Sequence, residues 1–147
     1  MFKELFVFVD VEMPNTWEAA VPLAVEMAQT NGVTLNLLSV VPDFGMAVVE
    51  QFFPEGADHE LNKKVMEILN DFIAEQVPSN VRTRPIVAEG SVREVILKMS
   101  KEVGADLIVM PPTRAGDSHY DLGATAAHVM RHAHCSVMIL RSSADTD

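Results

Sequence analysis

The chain holds one cysteine, Cys135, so no internal disulfide can form and a disulfide-stapled scaffold is excluded. A single free thiol agrees with a reducing compartment. Basic residues are also scarce: 11 Lys and Arg stand against 21 Asp and Glu, for a formal net charge of −10. The basic residues are scattered and form no stripe, which removes the electrostatic footprint of a DNA- or RNA-binding surface. The acidity fits simple solubility and a salty habitat equally well. Long apolar runs are absent too. None approaches the ~18 residues of a membrane span, and the opening Met1-Phe2-Lys3-Glu4-Leu5-Phe6-Val7-Phe8-Val9-Asp10 has no small-residue cleavage site, which argues against a signal peptide. A soluble, cytoplasmic protein is expected.

At 147 residues the chain has the commonest domain size, and one compact domain over residues 1–141 is expected. Residues 142–147 have nothing to bury and read as a disordered tail. Apolar runs alternate with helix-period stretches, the pattern of a parallel sheet covered by helices on both faces. Strands are predicted at Leu5–Asp10, Val33–Val41, Val81–Val87, Asp106–Met110 and Cys135–Leu140. The first helix is expected from Trp17 to Gln29, with Asn15 or Thr16 as its cap and Asn31-Gly32 as its left-handed end. Pro22 either kinks that helix or marks its true start. Further helices are predicted over Asp58–Val77, from a capping box at Ser91-Val92-Arg93-Glu94 to Gly104, and from Gly123 to Ala133. Between Pro42 and Gly56, apolar residues among prolines and glycines read as an ordered excursion able to cover a pocket or a partner.

Pro85 inside the third strand removes a ladder donor and assigns that strand to an edge. With right-handed crossovers, the order 3-2-1-4-5 meets this requirement and puts the apolar first and fourth strands in the middle. The strand order reverses between these two. Ligands of open α/β sheets bind beyond the strand carboxyl ends at such a reversal, here between Asp10-Val11 and Pro111 to Arg114. The fifth strand is the other edge, and its apolar Val137-Met138-Ile139-Leu140 calls for pairing with a second copy, so a homodimer is expected.

Several motifs then agree with one family. The chain resembles the universal stress proteins in Phe8-Val9-Asp10, in Glu89-Gly90-Ser91, and in the run from Leu107 to Arg114 followed by Leu122-Gly123-Ala124 and Arg131-His132-Ala133-His134-Cys135-Ser136-Val137. The resemblance implies a fold like that of the adenine nucleotide alpha hydrolases, a homodimer, a regulatory role in stress response and, in many members, bound ATP or AMP. It also implies Asp10 near a ribose and the Val40 backbone near adenine. Where the ATP-binding branch has Gly-x-x-Gly, nine residues, then Gly with Ser or Thr, this chain has Pro111 and Arg114 at the glycine positions, eight intervening residues down to Gly123, and Ala124 for the hydroxyl residue. The short loop looks more like that of small bacterial members with Ser-His-Arg-Pro at this point and a Tyr before Leu-Leu-Gly-Ser, echoed by Arg114 and Tyr120.

A phosphate loop works by aiming backbone N–H groups at an anion, and Pro111 and Pro112 each lack one. What remains is the helix start Gly123-Ala124-Thr125, with free amides and a favourable dipole, plus the Arg114 cation and the Thr113 and Thr125 hydroxyls. Asp117 and Asp121 oppose it. The nucleotide-binding set implied is therefore Asp10, Val40, Pro112, Thr113, Arg114, Gly123, Ala124 and Thr125, with a monophosphate or weakly held ATP favoured over tightly held ATP. Asp10 has a second reading, as the cap of the turn into the first helix.

Other chemistry finds less support. A receiver domain needs an acidic pair, an aspartate ending the third strand and a lysine after the fifth, where this chain has Ala88-Glu89-Gly90 and Arg141. His128 and His132 lie one helical turn apart, but no Cys or carboxylate joins them at ligand spacing, so surface or structural roles are expected and no metal site. No nucleophile elbow exists, Cys135 begins a buried strand, and beyond Asp10 no placed base or metal-binding pair would support an ATPase. The function expected is non-catalytic. Either a nucleotide-binding regulator acts on another protein, or a member without a nucleotide acts as an interaction module.

Overall fold

The computed structural model describes residues 2–41, 57–112 and 123–141. Five parallel strands form one sheet: β1 (Glu4–Phe8), β2 (Thr34–Val41), β3 (Arg82–Glu89), β4 (Leu107–Met110) and β5 (Ser136–Ile139). Their order is β3-β2-β1-β4-β5, as Pro85 and the apolar central strands required. The helices are α1 (Ala20–Asn31), α2 (Ala57–Gln76), α3 (Val92–Glu102) and α4 (Ala124–His132), with a 3-10 turn at Pro14–Thr16. The Pro42-to-Gly56 excursion and the 142–147 tail lie outside the described residues.

Strand alternation divides the core in two. Leu5, Val7 and Val9 point to one face with Leu35, Leu37 and Val109, under α1 and α2, where Ala24, Leu69 and Phe72 meet them. Phe6 and Phe8 point to the other with Leu38, Ile108 and Met110, under α3 and α4, where Ile96, Ala126 and Val129 meet them. Burial of each such side chain contributes about 1.5–3 kcal/mol. Every residue from Leu5 in β1 to Val9 just past it is buried, which is why the segment reads as a continuous apolar run. Among the described residues a few buried polar side chains interrupt this core, Thr16, Thr34, Asn36, Ser39 and Ser100. Asn36 of β2 is fully buried, and it donates to the Leu5 carbonyl at 2.9 Å and the Glu4 carboxylate at 2.8 Å while accepting from Arg84 at 3.1 Å. These bonds across three strands offset the cost of burying an amide.

Three local expectations change. The first helix begins at Ala20, with Ala19 as its cap and no side-chain cap bond; Thr16 instead ends the 3-10 turn. Pro22 is then the third helical residue, where the missing N–H is one of the donors a helix start leaves unpaired anyway. Ser91 does cap α3 by position, but its side chain makes no cap hydrogen bond, so the capping box is a sequence pattern without its bonds. β1 ends at Phe8, two residues before the predicted Asp10, although Val9 still donates to the Leu38 carbonyl at 2.8 Å.

Gly32 ends α1 at φ 65°, in the left-handed conformation expected for it, and a methyl group there would meet nothing within 4 Å. Gly90, between β3 and α3, is more constrained: φ is 135° and a Cβ would stand 3.0 Å from Val95 Cγ2. Gly90→Ala is expected to destabilise the protein by about 1–3 kcal/mol. Urea unfolding should also show a smaller loss for Gly32→Ala, where only the dihedral is strained.

Candidate functional site

The strand carboxyl ends at the reversal are held open by a tight local structure after β1. Asp10, half-buried, donates its backbone N–H to the Thr16 hydroxyl at 3.0 Å, and that hydroxyl donates to the Met13 carbonyl at 2.8 Å. Thr16 is 1% exposed, so its hydroxyl ties the turn from inside. The Asp10 carboxylate accepts the Glu12 N–H through Oδ1 at 3.1 Å. Thus the turn-capping reading of Asp10 holds. It uses one oxygen, and among the described residues no hydrogen bond engages Oδ2, so the carboxylate keeps an acceptor for a hydroxyl.

Val40 faces the same place through its backbone. Successive residues of a strand send their N–H and C=O groups to alternate sides. Leu38 accepts from Val9 on the β1 side, and Val41 accepts from Gly90 on the β3 side at 3.2 Å, so the Val40 pair is directed to the β1 side. The β1–β2 register stops at Phe8 opposite Leu38. The Val40 N–H and C=O therefore lie past the last rung, while the Ser39 hydroxyl donates at 3.1 Å to the Val9 carbonyl that the Val40 N–H would otherwise meet. A donor and an acceptor stand side by side there. Sequence reasoning reached Val40 only by resemblance, because ladder register has no local signal.

Across the reversal, Pro112 is buried and its carbonyl accepts the Gly123 N–H at 2.7 Å. This corrects one expectation: the Gly123 amide is committed to the protein's own backbone and is not a free donor. Gly123 caps α4, and its carbonyl receives Ala127 N–H at 3.0 Å. The amides of Ala124 and Thr125, in the first turn, remain at the positive end of the helix. Thr113 and Arg114, with His119 and Tyr120, lie outside the described residues. A separate cavity of about 260 Å³ sits at the opposite end of the sheet, among Ala28, Gly32, Ser79, Asn80 and Arg82, and has no part in this crevice. Cys135 is half-buried; burial pushes its thiol up and the Asp106 carboxylate adds to the shift, against a nucleophilic role.

A parallel sheet in the order β3-β2-β1-β4-β5, with an acidic strand end and a helix N-terminus meeting at the reversal, defines the class of open, Rossmann-like α/β domains that take ligands at that point. A family profile described as the universal stress protein family matches residues 1–141, and the chain belongs to that family. Universal stress protein G of Shigella flexneri is 30% identical over 147 residues, which span 96% of this chain and 100% of that protein. The structure of universal stress protein UspA from Lactobacillus plantarum is 26% identical with a TM-score of 0.67, covering 95% of this chain and 98% of that one. A universal stress protein family protein from Arabidopsis thaliana, solved with AMP bound, shares the fold at 21% identity and TM-score 0.61, over 99% of this chain and 95% of its own. Among the described residues, no helix is long and apolar enough to cross a membrane.

Two measurements check this geometry. Thr16→Val keeps the shape and removes the hydroxyl that Asp10 and Met13 share, and a loss of about 1–3 kcal/mol is expected in chemical denaturation. Iodoacetamide should label Cys135 several-fold more slowly in the folded protein than in urea at the same pH, since a raised thiol pKa leaves less thiolate.

Proposed function

We propose that this universal stress protein is a non-catalytic regulatory domain that binds an adenine nucleotide at the β1/β4 reversal, with a monophosphate held better than ATP. The observation that carries this reading is the Val40 N–H and C=O beside Asp10, for which the described residues supply no partner: a neighbouring donor and acceptor complement the N6 donor and N1 acceptor of an adenine edge. Asp10 would accept from a ribose hydroxyl through the oxygen that Glu12 leaves free. The AMP held by the Arabidopsis relative agrees with a site for one phosphate. So does the donor count, because Pro111 and Pro112 supply no N–H and the Gly123 amide is taken, leaving Ala124, Thr125 and, by sequence, Thr113 and Arg114 to meet an anion.

A second reading draws on the same commitment of Gly123 to Pro112. A loop whose donors are missing or occupied suits a member that holds no nucleotide and works as a protein-interaction module. Calorimetric titration with AMP, ADP and ATP separates the two. Heat with AMP, weakened about tenfold or more (~1.4 kcal/mol) in Asp10→Ala and in Arg114→Ala, is expected. No heat with any of the three nucleotides would remove the first reading and leave the second.

The working form in this proposal is a cytoplasmic homodimer joined along β5 and acting on a regulatory protein partner. β5 is an edge strand, and Val137, Met138, Ile139 and Leu140 are only half-buried in a single copy. Leu140 donates inward to Met110 at 2.9 Å, so by alternation the N–H groups of Val137 and Ile139 point outward. Ile139→Pro removes an outward donor that β4 does not use. Sedimentation velocity should find a dimer for the native chain and a monomer for this variant, with unchanged circular dichroism; a native monomer would discard the edge-pairing proposal.

A further inference from the structure

We propose that His128 and His132 of α4 form a two-histidine chelate for a tetragonal divalent transition ion, Cu(II) or Ni(II). The spacing of four residues puts both imidazoles on one face of the helix, the arrangement by which paired histidines grip a metal elsewhere. Their ring centroids are 4.6 Å apart and the rings are tilted by 51°. With metal–nitrogen bonds of about 2.0–2.1 Å in the ring planes, two ligands at a right angle bring the centroids to roughly 4.5 Å, whereas a tetrahedral angle needs roughly 5.2 Å. The observed separation is nearer the right-angle value, so rings that turn their nitrogens toward one point at this spacing suit ions that take cis ligands, Cu(II) and Ni(II). His132 is exposed, so its ring can turn a nitrogen toward the ion without disturbing the core, and His128 is half-buried beside it.

The charges around the pair act in both directions. Arg93 of α3 and Arg131 oppose a dication near His128, and Glu94 of α3 favours it; all three are exposed, where salt screens them. Among the described residues, no group of three or more His, Cys, Asp and Glu converges on an ion. Within the described residues the site consists of these two imidazoles. An ion that binds only the helical arrangement would also brace α4, whose first turn borders the nucleotide crevice.

The test titrates the full chain with copper sulfate, and separately nickel chloride, in a buffer that does not bind metal. One ion per chain is expected, with a tetragonal Cu(II) spectrum showing two equatorial nitrogens in electron paramagnetic resonance. His128→Gln and His132→Gln should each weaken copper binding about tenfold or more, while His59→Gln, His119→Gln and His134→Gln keep the native affinity and all five variants keep the native circular dichroism. Native-like copper affinity in either His128→Gln or His132→Gln, or loss of the site in one of the other three, overturns the proposal. So does a spectrum with a single nitrogen donor, which needs no variant to fold. Nucleotide binding plays no part in these readouts, so a failed nucleotide titration would leave this result standing.

Discussion

Between Leu5 and Val9 no side chain of β1 reaches solvent, and both backbone edges of the strand are taken, by β2 on one side and β4 on the other. A strand buried on every side can be placed in only one way, and the other elements are placed from it. Leu5, Val7 and Val9 set where α1 and α2 lie, and Phe6 and Phe8 set where α3 and α4 lie. The crevice depends on the same strand. Because β1 leaves the β2 ladder at Phe8 while β2 continues to Val41, the chain at Asp10 turns away and exposes the Val40 backbone. Thr16, locked under the turn, keeps that departure sharp.

In the proposed reading, a nucleoside site stands without the glycine loop of the ATP-binding branch. A glycine loop recognises phosphate through many backbone donors, and here two positions are proline and a third donor closes the loop onto itself through Pro112. The nucleoside half of the crevice needs none of them. It rests on strand register and on one carboxylate, both set by the core. The phosphate donors and the β1 and β2 strand ends are therefore physically separable, and the proposed preference for ligands with one phosphate rests on that separation.

Much of the fold was legible in the residues because burial on two faces leaves an unmistakable record. The apolar run at Leu107 to Met110, Pro85 in an edge strand and Gly32 in a left-handed cap each act through local sterics or through the cost of exposing carbon. The errors cluster where local signals compete. Thr16 has the composition of a helix cap but spends its hydroxyl on Asp10 and Met13, and the Ser91-to-Glu94 box marks a helix start without making its bonds. Asn36 in the middle of an apolar strand had no reading at all, since its partners Glu4 and Arg84 come from the strands on either side.

By itself the sequence determined the class of fold, the order of the strands and the family, because hydrophobic periodicity and backbone-restricted residues act over a few positions. Tertiary structure decided which polar groups are free. Whether Val40 offers its N–H and C=O, whether Gly123 can donate to an anion, which Asp10 oxygen is occupied and how far His128 stands from His132 all depend on register and on helix geometry. A hydrogen bond forms or fails over tenths of an ångström, and that precision exists only once distant segments are packed together.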